Sequence, residues 1–380
     1  MKYRKFGRLD WEVSALGFGT GRLPLTEKSR VGIDETASIG MLRYAIDSGV
    51  NYINLDCPAH RAQRKRLAGI VGRGLREGYR NRVKIAACLP SSLMDSSPDF
   101  DRYLDEVTGW LRVDRLDFFA FGGLDRETWP VLRGLNLFPR AEKAMADGRI
   151  EKLGFAFRDD YQTLRAILDG YGNWSFVQFP FSFMDSDHRP GIGGLNLAAS
   201  RGLAVVVTEP LKGGRLTRNI PESIARIWTE ATPQRPPAEW GLRWVWDNPE
   251  VSTVVSDMSS IAQLAQNLAL ADEATAETLT VPEQVLISRV REAYRKLRPI
   301  PCTGCRSCIP CPRDIDAPRI FELYNDAVMY GDVATARSLY QLEKHNIDNC
   351  DECNDCARAC GRHIPIPDKL KIAQGLLGGK

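Results

Sequence analysis

The sequence has little that would carry it into a membrane, out of the cell or onto nucleic acid. No apolar run approaches the length of a membrane span, and the first residues carry positive charge without the apolar core and cleavage site of an export signal. The formal net charge of +3 over 380 residues is close to balance, so no basic field predicts a nucleic-acid or membrane partner. We therefore expect a cytoplasmic protein that acts on a small molecule, with a protein electron donor as a further partner.

Two other features are scarce or missing. No Gly-x-Gly-x-x-Gly motif follows the first predicted strand, which disfavours a dinucleotide site of the Rossmann type. Only Cys57 and Cys88, of the ten cysteines, lie before residue 300. Whatever chemistry the thiols carry is therefore concentrated near the end of the chain.

The other eight cysteines form two runs, in which most neighbouring thiols are three residues apart. The first run, CTGCRSCIPCP, contains Cys302, Cys305, Cys308 and Cys311, and the second, CDECNDCARACG, contains Cys350, Cys353, Cys356 and Cys360. Thiols at this spacing favour iron–sulfur clusters over structural zinc, which prefers two separated pairs of ligands; disulfides are the other alternative. Eight reduced thiols also favour a reducing compartment.

The two runs resemble the ligand pattern of bacterial ferredoxins that hold two [4Fe–4S] clusters, in which each run gives its fourth thiolate to the other cluster. The resemblance implies one cluster on Cys302, Cys305, Cys308 and Cys360, and the other on Cys350, Cys353, Cys356 and Cys311. The first run departs from the ferredoxin pattern by closing with C-x2-C before Pro312, and Gly361 replaces the usual proline after Cys360.

Strand-like and helix-like segments alternate through the rest of the chain, after a hairpin predicted over residues 2–13. The predicted strands are Ala15–Thr20, Asn51–Asp56, Val83–Leu89, Leu116–Gly122, Lys152–Phe157, Phe176–Phe181, Ala204–Glu209 and Ser252–Ser256. The amphipathic segments between them include Thr128–Ala146 and Ala238–Asp247. Eight such units predict an α/β fold of the (β/α)8 TIM-barrel type, with a doubly wound open sheet as the alternative.

The domain organisation follows from these segments. We expect a barrel over residues 1–281, a connecting helix over 282–300 and a small, α-rich, ferredoxin-like iron–sulfur domain over 301–380. Prolines 299 and 301 mark the boundary, and Ile320–Leu342 predicts one helix inserted between the cysteine runs.

The barrel segments resemble the aldo-keto reductases, specifically the group with a C-terminal ferredoxin-like domain. The segments that carry the resemblance are YRKFGRLDWEVSALGFGTGRLP, GVNYI, EPLKGGRL and LRWVWDNPEVSTVV. The resemblance implies a TIM barrel that reduces carbonyls with NADPH, using an Asp, Tyr, Lys and His tetrad in which Tyr protonates the carbonyl.

The same resemblance implies that this tetrad is lost. The family's Asp and Tyr positions hold Asn54 and Ala59, its Lys position holds Cys88, and its His position holds Gly122. Ala59 has no proton to give, so the family's usual carbonyl reduction is not expected.

The cofactor positions are kept only in part. The resemblance places Asn54, Arg158, Gln178, Glu209, Gly213, Gly214 and Asn267 at substrate-binding or cofactor-binding positions. Asp257, at the end of the eighth strand, lies where a phosphate would bind, and a carboxylate opposes an anionic ligand. The resemblance therefore implies an NADPH site that is kept only in part.

Four residues at or just past the carboxyl ends of the second and third predicted barrel strands are candidates for catalysis, since the ends of barrel strands line the active site. They are Asp56, Cys57, His60 and Cys88. Cys57 and Cys88 are either a redox-active or metal-binding pair or two small buried side chains. His60 is either a proton donor or a loop residue, and Arg158 either binds an anion or forms a surface ion pair.

Three functions are compatible with these features. The first is an oxidoreductase in which electrons pass through two [4Fe–4S] clusters to or from a small molecule at the barrel mouth. The second is a non-catalytic electron carrier or scaffold for a partner enzyme. The third is NADPH-dependent carbonyl reduction with substituted active-site residues.

Overall fold

The computed structural model describes residues 1–26, 32–58, 60–90 and 93–378. The chain divides into two compact units. The first contains Met1–Lys212 and Glu239–Leu279, and the second contains Gly213–Ala238 and Thr280–Lys380. The helix predicted over 282–300 therefore groups with the cysteine-rich segment rather than standing between two domains.

The first unit contains the predicted hairpin and a closed parallel barrel. The hairpin is β1 (Tyr3–Lys5) and β2 (Glu12–Ser14), and the barrel strands are β3 (Leu16–Gly19), β4 (Tyr52–Leu55), β5 (Lys84–Pro90), β6 (Leu116–Leu124), β7 (Ile150–Phe157), β8 (Phe176–Pro180), β9 (Ala204–Thr208) and β10 (Val251–Asp257). Each barrel strand pairs with the next, and β10 closes on β3. The predicted eight-stranded barrel is confirmed, and the open sheet is wrong.

Helices follow the barrel strands and pack outside them. They are α1 (Glu35–Asp47), α2 (Arg61–Gly74), α3 (Pro98–Leu111), α4 (Thr128–Gly134), α5 (Leu137–Ala146), α6 (Tyr161–Gly170), α7 (Gly191–Ser200), α9 (Pro237–Trp246) and α10 (Ile261–Ala271), while α8 (Glu222–Trp228) lies in the second unit. The single helix predicted over 128–146 is wrong, because Asn136 takes a left-handed conformation with φ of 53° between α4 and α5.

Strand alternation divides the apolar side chains of the barrel between two layers. One layer lies between the strands and the helices, and it includes Ile53, Leu55 and Ala87. The other fills the barrel interior, where Phe6 of the hairpin packs 4.7 Å from the ring of Phe118. Side chains that point inward near the carboxyl ends of the strands therefore lie next to this packed apolar layer.

The second unit is helical in its described part. It contains α8, α11 (Val281–Lys296), α12 (Ala317–Met329), α13 (Val333–Leu342), α14 (Asp355–Arg358) and α15 (Ile366–Leu377). The single helix predicted over 320–342 is wrong, because the chain turns at Gly331 and Asp332 caps a new helix at α13. Residues 280–378, all of which are described, contain no strand. Within the described ranges, no helix has the length and apolar character to span a membrane.

Candidate functional site

The carboxyl ends of the barrel strands bring several predicted residues to one end of the first unit. Asn54 on β4 pairs with Gly19 and Ala86, and Gln178 on β8 pairs with Ala156 and Val206. All strands of the barrel run parallel, so these residues lie at the same mouth. Asn54 and Gln178 are both half-buried there.

Asp56 follows β4 and lines a cavity of about 770 Å³ in the first unit. Its backbone N–H donates to Oγ1 of Thr20 at 2.8 Å, which fixes the start of the loop after β4. Arg22, Gln63, Arg66 and Ser259 supply further polar groups to the same cavity. Desolvation by the cavity walls raises the pKa of Asp56, so its carboxyl group holds a proton at higher pH than a free aspartate.

Asp257, at the end of β10, lies against two glycines at the end of β3. Oδ1 of Asp257 accepts a hydrogen bond of 2.9 Å from the backbone N–H of Gly21. A β-carbon at Gly19 would lie 2.2 Å from the same oxygen, so only glycine allows this approach. Burial raises the pKa of Asp257, and the carboxylates of Asp56 and Glu209 raise it further.

Cys57 and Cys88 point to opposite faces of the barrel wall. Cys57 packs against the outer apolar layer, whereas Cys88 packs against the interior layer. Burial raises the pKa of both thiols, so both stay protonated near neutral pH. Both thiols are therefore partly buried, and the redox-active or metal-binding pair stays a prediction.

Tyr103 on α3, which is not among the residues predicted from the sequence, links the backbone of one cysteine to the thiol of the other. Its hydroxyl donates to the carbonyl oxygen of Cys88 at 2.7 Å and lies 3.2 Å from Sγ of Cys57. Because a phenol has one proton, the Cys57 thiol donates to Tyr103 while Tyr103 donates to Cys88. These two hydrogen bonds anchor α3 to the ends of β4 and β5.

Inside the barrel, Cys88 packs directly against Gly122 of β6. A β-carbon at Gly122 would lie 2.4 Å from Sγ of Cys88, far inside van der Waals contact. Position 122 therefore cannot take a side chain unless Sγ of Cys88 moves.

The remaining barrel candidates lie nearer the surface. The carbonyl oxygen of His60 accepts from the N–H groups of Gln63 and Arg64 at the start of α2, and the imidazole is exposed. Arg158 and Glu209 form an ion pair of 2.6 Å in which both side chains are about half exposed. That geometry matches the surface ion pair that the sequence left open for Arg158. Ala59 lies outside the described residues.

The other predicted cofactor residues are divided between the two units. Asn267 on α10 is buried and donates to Oγ of Ser256 at 3.1 Å, which ties α10 to β10 in the first unit. Gly213 and Gly214 belong to the second unit, where both have positive φ and their carbonyl oxygens accept from the guanidinium of Arg218.

The second unit has two cavities lined by cysteines. The larger, of about 210 Å³, is lined by Cys308, Cys311, Cys350, Cys353 and Cys356. The smaller, of about 20 Å³, is lined by Cys302, Cys305, Cys308 and Cys360. All ten cysteines lie in the described part of the chain, and each is a free thiol.

Residues of the apolar core of the second unit also line the larger cavity. Ile315, Ile366 and Leu370 are buried in the core of the second unit and also contact the larger cavity. Burial and neighbouring thiols raise the pKa of Cys308 to about 11, so a thiolate there needs a compensating positive charge. Cys305 and Cys353 are exposed. Among the described residues, no three His, Cys, Asp or Glu side chains converge into a group that could hold a single metal ion.

Three solved structures share the barrel fold. Aldo-keto reductase AKR11C1 from Bacillus halodurans, in its holo form, is 23% identical, with 76% of this chain and 96% of that chain covered and a TM-score of 0.59. A thermostable aldo-keto reductase, Tm1743, in complex with the inhibitor epalrestat, is 18% identical, with coverage of 76% and 100% and a TM-score of 0.60. An aldo-keto reductase from Klebsiella pneumoniae in complex with NADPH is 20% identical, with coverage of 76% and 95% and a TM-score of 0.59.

Sequence comparison gives a more specific assignment than these structures do. A search of curated proteins finds no significant match. The sequence model of the Aldo/keto reductase family matches residues 15–279, which span the barrel from β3 to the segment after α10. The chain belongs to the aldo/keto reductase family.

Proposed function

We propose that this protein is an iron–sulfur oxidoreductase in which a barrel without the family's Asp, Tyr, Lys and His tetrad receives or gives electrons through two [4Fe–4S] clusters. The observation that carries the proposal is the agreement between two independent groupings of the same cysteines. The ferredoxin pattern assigns Cys302, Cys305, Cys308 and Cys360 to one cluster, and these four line the smaller cavity. It assigns Cys350, Cys353, Cys356 and Cys311 to the other, and these four line the larger cavity.

The cysteine thiols that line each cavity suit a [4Fe–4S] cluster better than a single metal ion. A structural zinc needs four ligands that converge on one point at about 2.3 Å, whereas each thiolate of a [4Fe–4S] cluster binds a different iron. Four thiols spread around the wall of one cavity fit the second arrangement. When bound, such clusters supply one-electron transfer.

The packing of Cys88 against Gly122 supports the loss of the tetrad. These residues stand at the family's Lys and His positions, and Sγ of Cys88 fills the space that a side chain at position 122 would need. The residue at position 88 therefore restricts what position 122 can hold, as expected for a barrel whose interior has been repacked. Asn54 stands at the family's Asp position on β4, on the inward face next to Gly19.

The residues at the mouth retain the means to move a proton. Asp56 lines the large cavity, and desolvation raises the pKa of its carboxyl group, so this group is our candidate for proton exchange with a bound substrate. The hydrogen bonds that join Cys57, Tyr103 and the carbonyl of Cys88 position the loop after β4.

The test is the iron and sulfide content of protein purified without oxygen, together with the electron paramagnetic resonance spectrum after dithionite reduction. We expect about eight irons per chain and [4Fe–4S]⁺ signals, following the cluster ligation rule. Cys305→Ser and Cys353→Ser should each lose the signal of one cluster, while Cys57→Ser, a matched change outside the runs, should keep both. Iron-free protein with normal folding would exclude the proposal.

Carbonyl reduction with NADPH is the second candidate, and family membership favours it. The Klebsiella pneumoniae relative is described in complex with NADPH. Against it, Asp257 places a carboxylate on the N–H of Gly21, where it would repel an anionic ligand. Titration with NADPH should give weak or no binding, and Asp257→Asn should bind it more tightly than the parent. Tight binding by the parent, with turnover of an aldehyde, would favour this candidate instead.

The non-catalytic electron carrier is supported by the exposure of Cys305 and Cys353, one thiol from each run. An exposed thiolate ligand gives a partner protein a short route to a cluster. Substitution of Asp56 separates the alternatives, because Asp56→Asn should slow turnover at the mouth and leave reduction of an external electron acceptor unchanged.

A further inference from the structure

The two cysteine-lined cavities differ in the charged groups around them. Arg306 and Arg362 line the smaller cavity, and its described lining includes no carboxylate. The larger cavity is lined by Arg313 and by the carboxylates of Asp351 and Asp355. The net charge of the side chains that line the two cavities is therefore opposite in sign.

The difference follows from the sequence between the cysteines. Aligned on their first three cysteines, the runs have Thr303 opposite Asp351 and Ser307 opposite Asp355. Hydroxyl groups thus occupy two positions in the first run where the second run has carboxylates. A hydroxyl can donate a hydrogen bond to sulfur, and a carboxylate only accepts.

The hydroxyl and carboxylate contacts next to the cysteines show the same asymmetry. Oγ of Ser307 lies 3.4 Å from Sγ of Cys305, and the N–H of Gly304 donates to Sγ of Cys302 at 3.4 Å. Once Cys305 is a thiolate it can only accept, so Ser307 becomes the donor. In the second run, Oδ1 of Asp351 accepts from the N–H of Cys353 at 3.4 Å, which brings a carboxylate next to that cysteine.

Ion pairs reduce the difference in charge around the two cavities without removing it. Arg306 pairs with Asp316 at 3.1 Å, and Arg313 pairs with Asp351 at 2.8 Å. Asp355 pairs with Arg358. The direct donors to sulfur in the first run are unaffected by these pairs, because they are neutral groups.

We propose, on the basis of the function proposed above, that the centre held by Cys302, Cys305, Cys308 and Cys360 has the higher reduction potential and that the Ser307 hydroxyl contributes to the difference. Reduction adds one electron and so one negative charge to a cluster, and hydrogen-bond donors and cations stabilise that charge. Donors and arginines therefore favour reduction of the first centre, and carboxylates disfavour reduction of the second.

A direction of electron flow follows. Ser307 and Cys308 line both cavities, so the two thiol sets share one stretch of wall. With both clusters bound, the proposed order of potentials would favour electron transfer from the second centre to the first. Cys305 and Cys353 are both exposed, so this direction rests on the potentials and not on exposure.

The experiment is a redox titration of the anaerobic, full-length holoprotein, followed by electron paramagnetic resonance. We expect two one-electron steps with separate midpoints. Ser307→Ala should move the upper midpoint to lower potential and leave the lower one in place, whereas Ser307→Thr, which keeps the hydroxyl, should resemble the parent. Asp351→Asn should move the lower midpoint upward.

The outcomes separate this proposal from the function on which it rests. Protein that contains no iron would overturn both. Protein with two clusters and a single shared midpoint, or with both midpoints unchanged in Ser307→Ala, would overturn only the assignment of potentials. Ser307 is exposed, so its replacement by alanine should leave folding intact, which the retained iron content of the variant would verify.

Discussion

Sγ of Cys88 fills the space beside the α-carbon of Gly122, so that a β-carbon at position 122 would lie 2.4 Å from the sulfur. Cys88 is on β5 and Gly122 is on β6, and both face the barrel interior. The contact explains why a side chain added at position 122 alone should destabilise the barrel.

The first prediction is a test of that contact by a double-mutant cycle. Gly122→Ala should lower the free energy of unfolding by about 1–3 kcal/mol, the usual cost of overpacking a core. Cys88→Ala removes the sulfur, so the double variant should recover most of that loss, and thermal unfolding of the four proteins would measure it. Additive effects of the two changes would show that Cys88 is not what excludes a side chain at position 122.

The second prediction concerns the hydroxyl of Tyr103. Tyr103→Phe removes the donor to the buried carbonyl of Cys88, so we expect a loss of about 1–3 kcal/mol in unfolding free energy. The matched control is Tyr79→Phe, whose hydroxyl donates to Asp47 at an exposed site and should contribute less. Equal losses in denaturant unfolding of the two variants would argue against an anchoring role for Tyr103.

The outline of the barrel could be predicted from the sequence because each strand is a short apolar run with turn residues at both ends. The breaks inside predicted helices could not, since Asn136 and Gly331 interrupt segments whose apolar spacing continues on either side. The division of the cysteines into two sets of four came from the resemblance to bacterial ferredoxins, and it stays a prediction. Tyr103 was missed because it comes from a helix face, where a tyrosine that reaches a strand end looks like any other core aromatic.

The third prediction uses the pKa of Asp257. Burial raises this pKa, so the charged carboxylate destabilises the fold above the folded-state pKa, and the effect disappears as pH falls below the unfolded value near 3.8. Asp257→Asn should therefore raise the melting temperature at pH 7 and have little effect near pH 3. Asn keeps an oxygen that can accept from Gly21.

The control for Asp257 is Asp159, a carboxylate whose pKa is shifted in the opposite direction. Asp159 is partly buried, but hydrogen bonds from Arg126 lower its pKa, so its charge stabilises the fold above the unfolded value near 3.8. Asp159→Asn should lower stability at pH 7 by about 1–3 kcal/mol, the range for hydrogen bonds to charged groups. If both variants changed the melting temperature in the same direction at pH 7, the sign assigned to Asp257 would be wrong.

The fourth prediction concerns the anchor of the first cysteine run. Asn325 on α12 is buried and makes two hydrogen bonds to Ile300, accepting from its N–H at 3.0 Å and donating to its carbonyl oxygen at 2.8 Å. Ile300 lies two residues before Cys302, so this amide fixes where the run begins. Asn325→Asp keeps the acceptor but loses the donor and sets a carboxylate against the carbonyl oxygen.

We expect Asn325→Asp to cost about 1–3 kcal/mol, the penalty for a buried group left without its partner. The segment around residues 297–302 should then be cleaved faster in limited proteolysis, with or without iron bound. Asn349→Asp, at an exposed position, is the control and should change stability by less than about 0.5 kcal/mol. A cleavage rate equal to that of the parent would mean that the apolar contacts of Ile300, rather than its paired backbone, hold the first run in place.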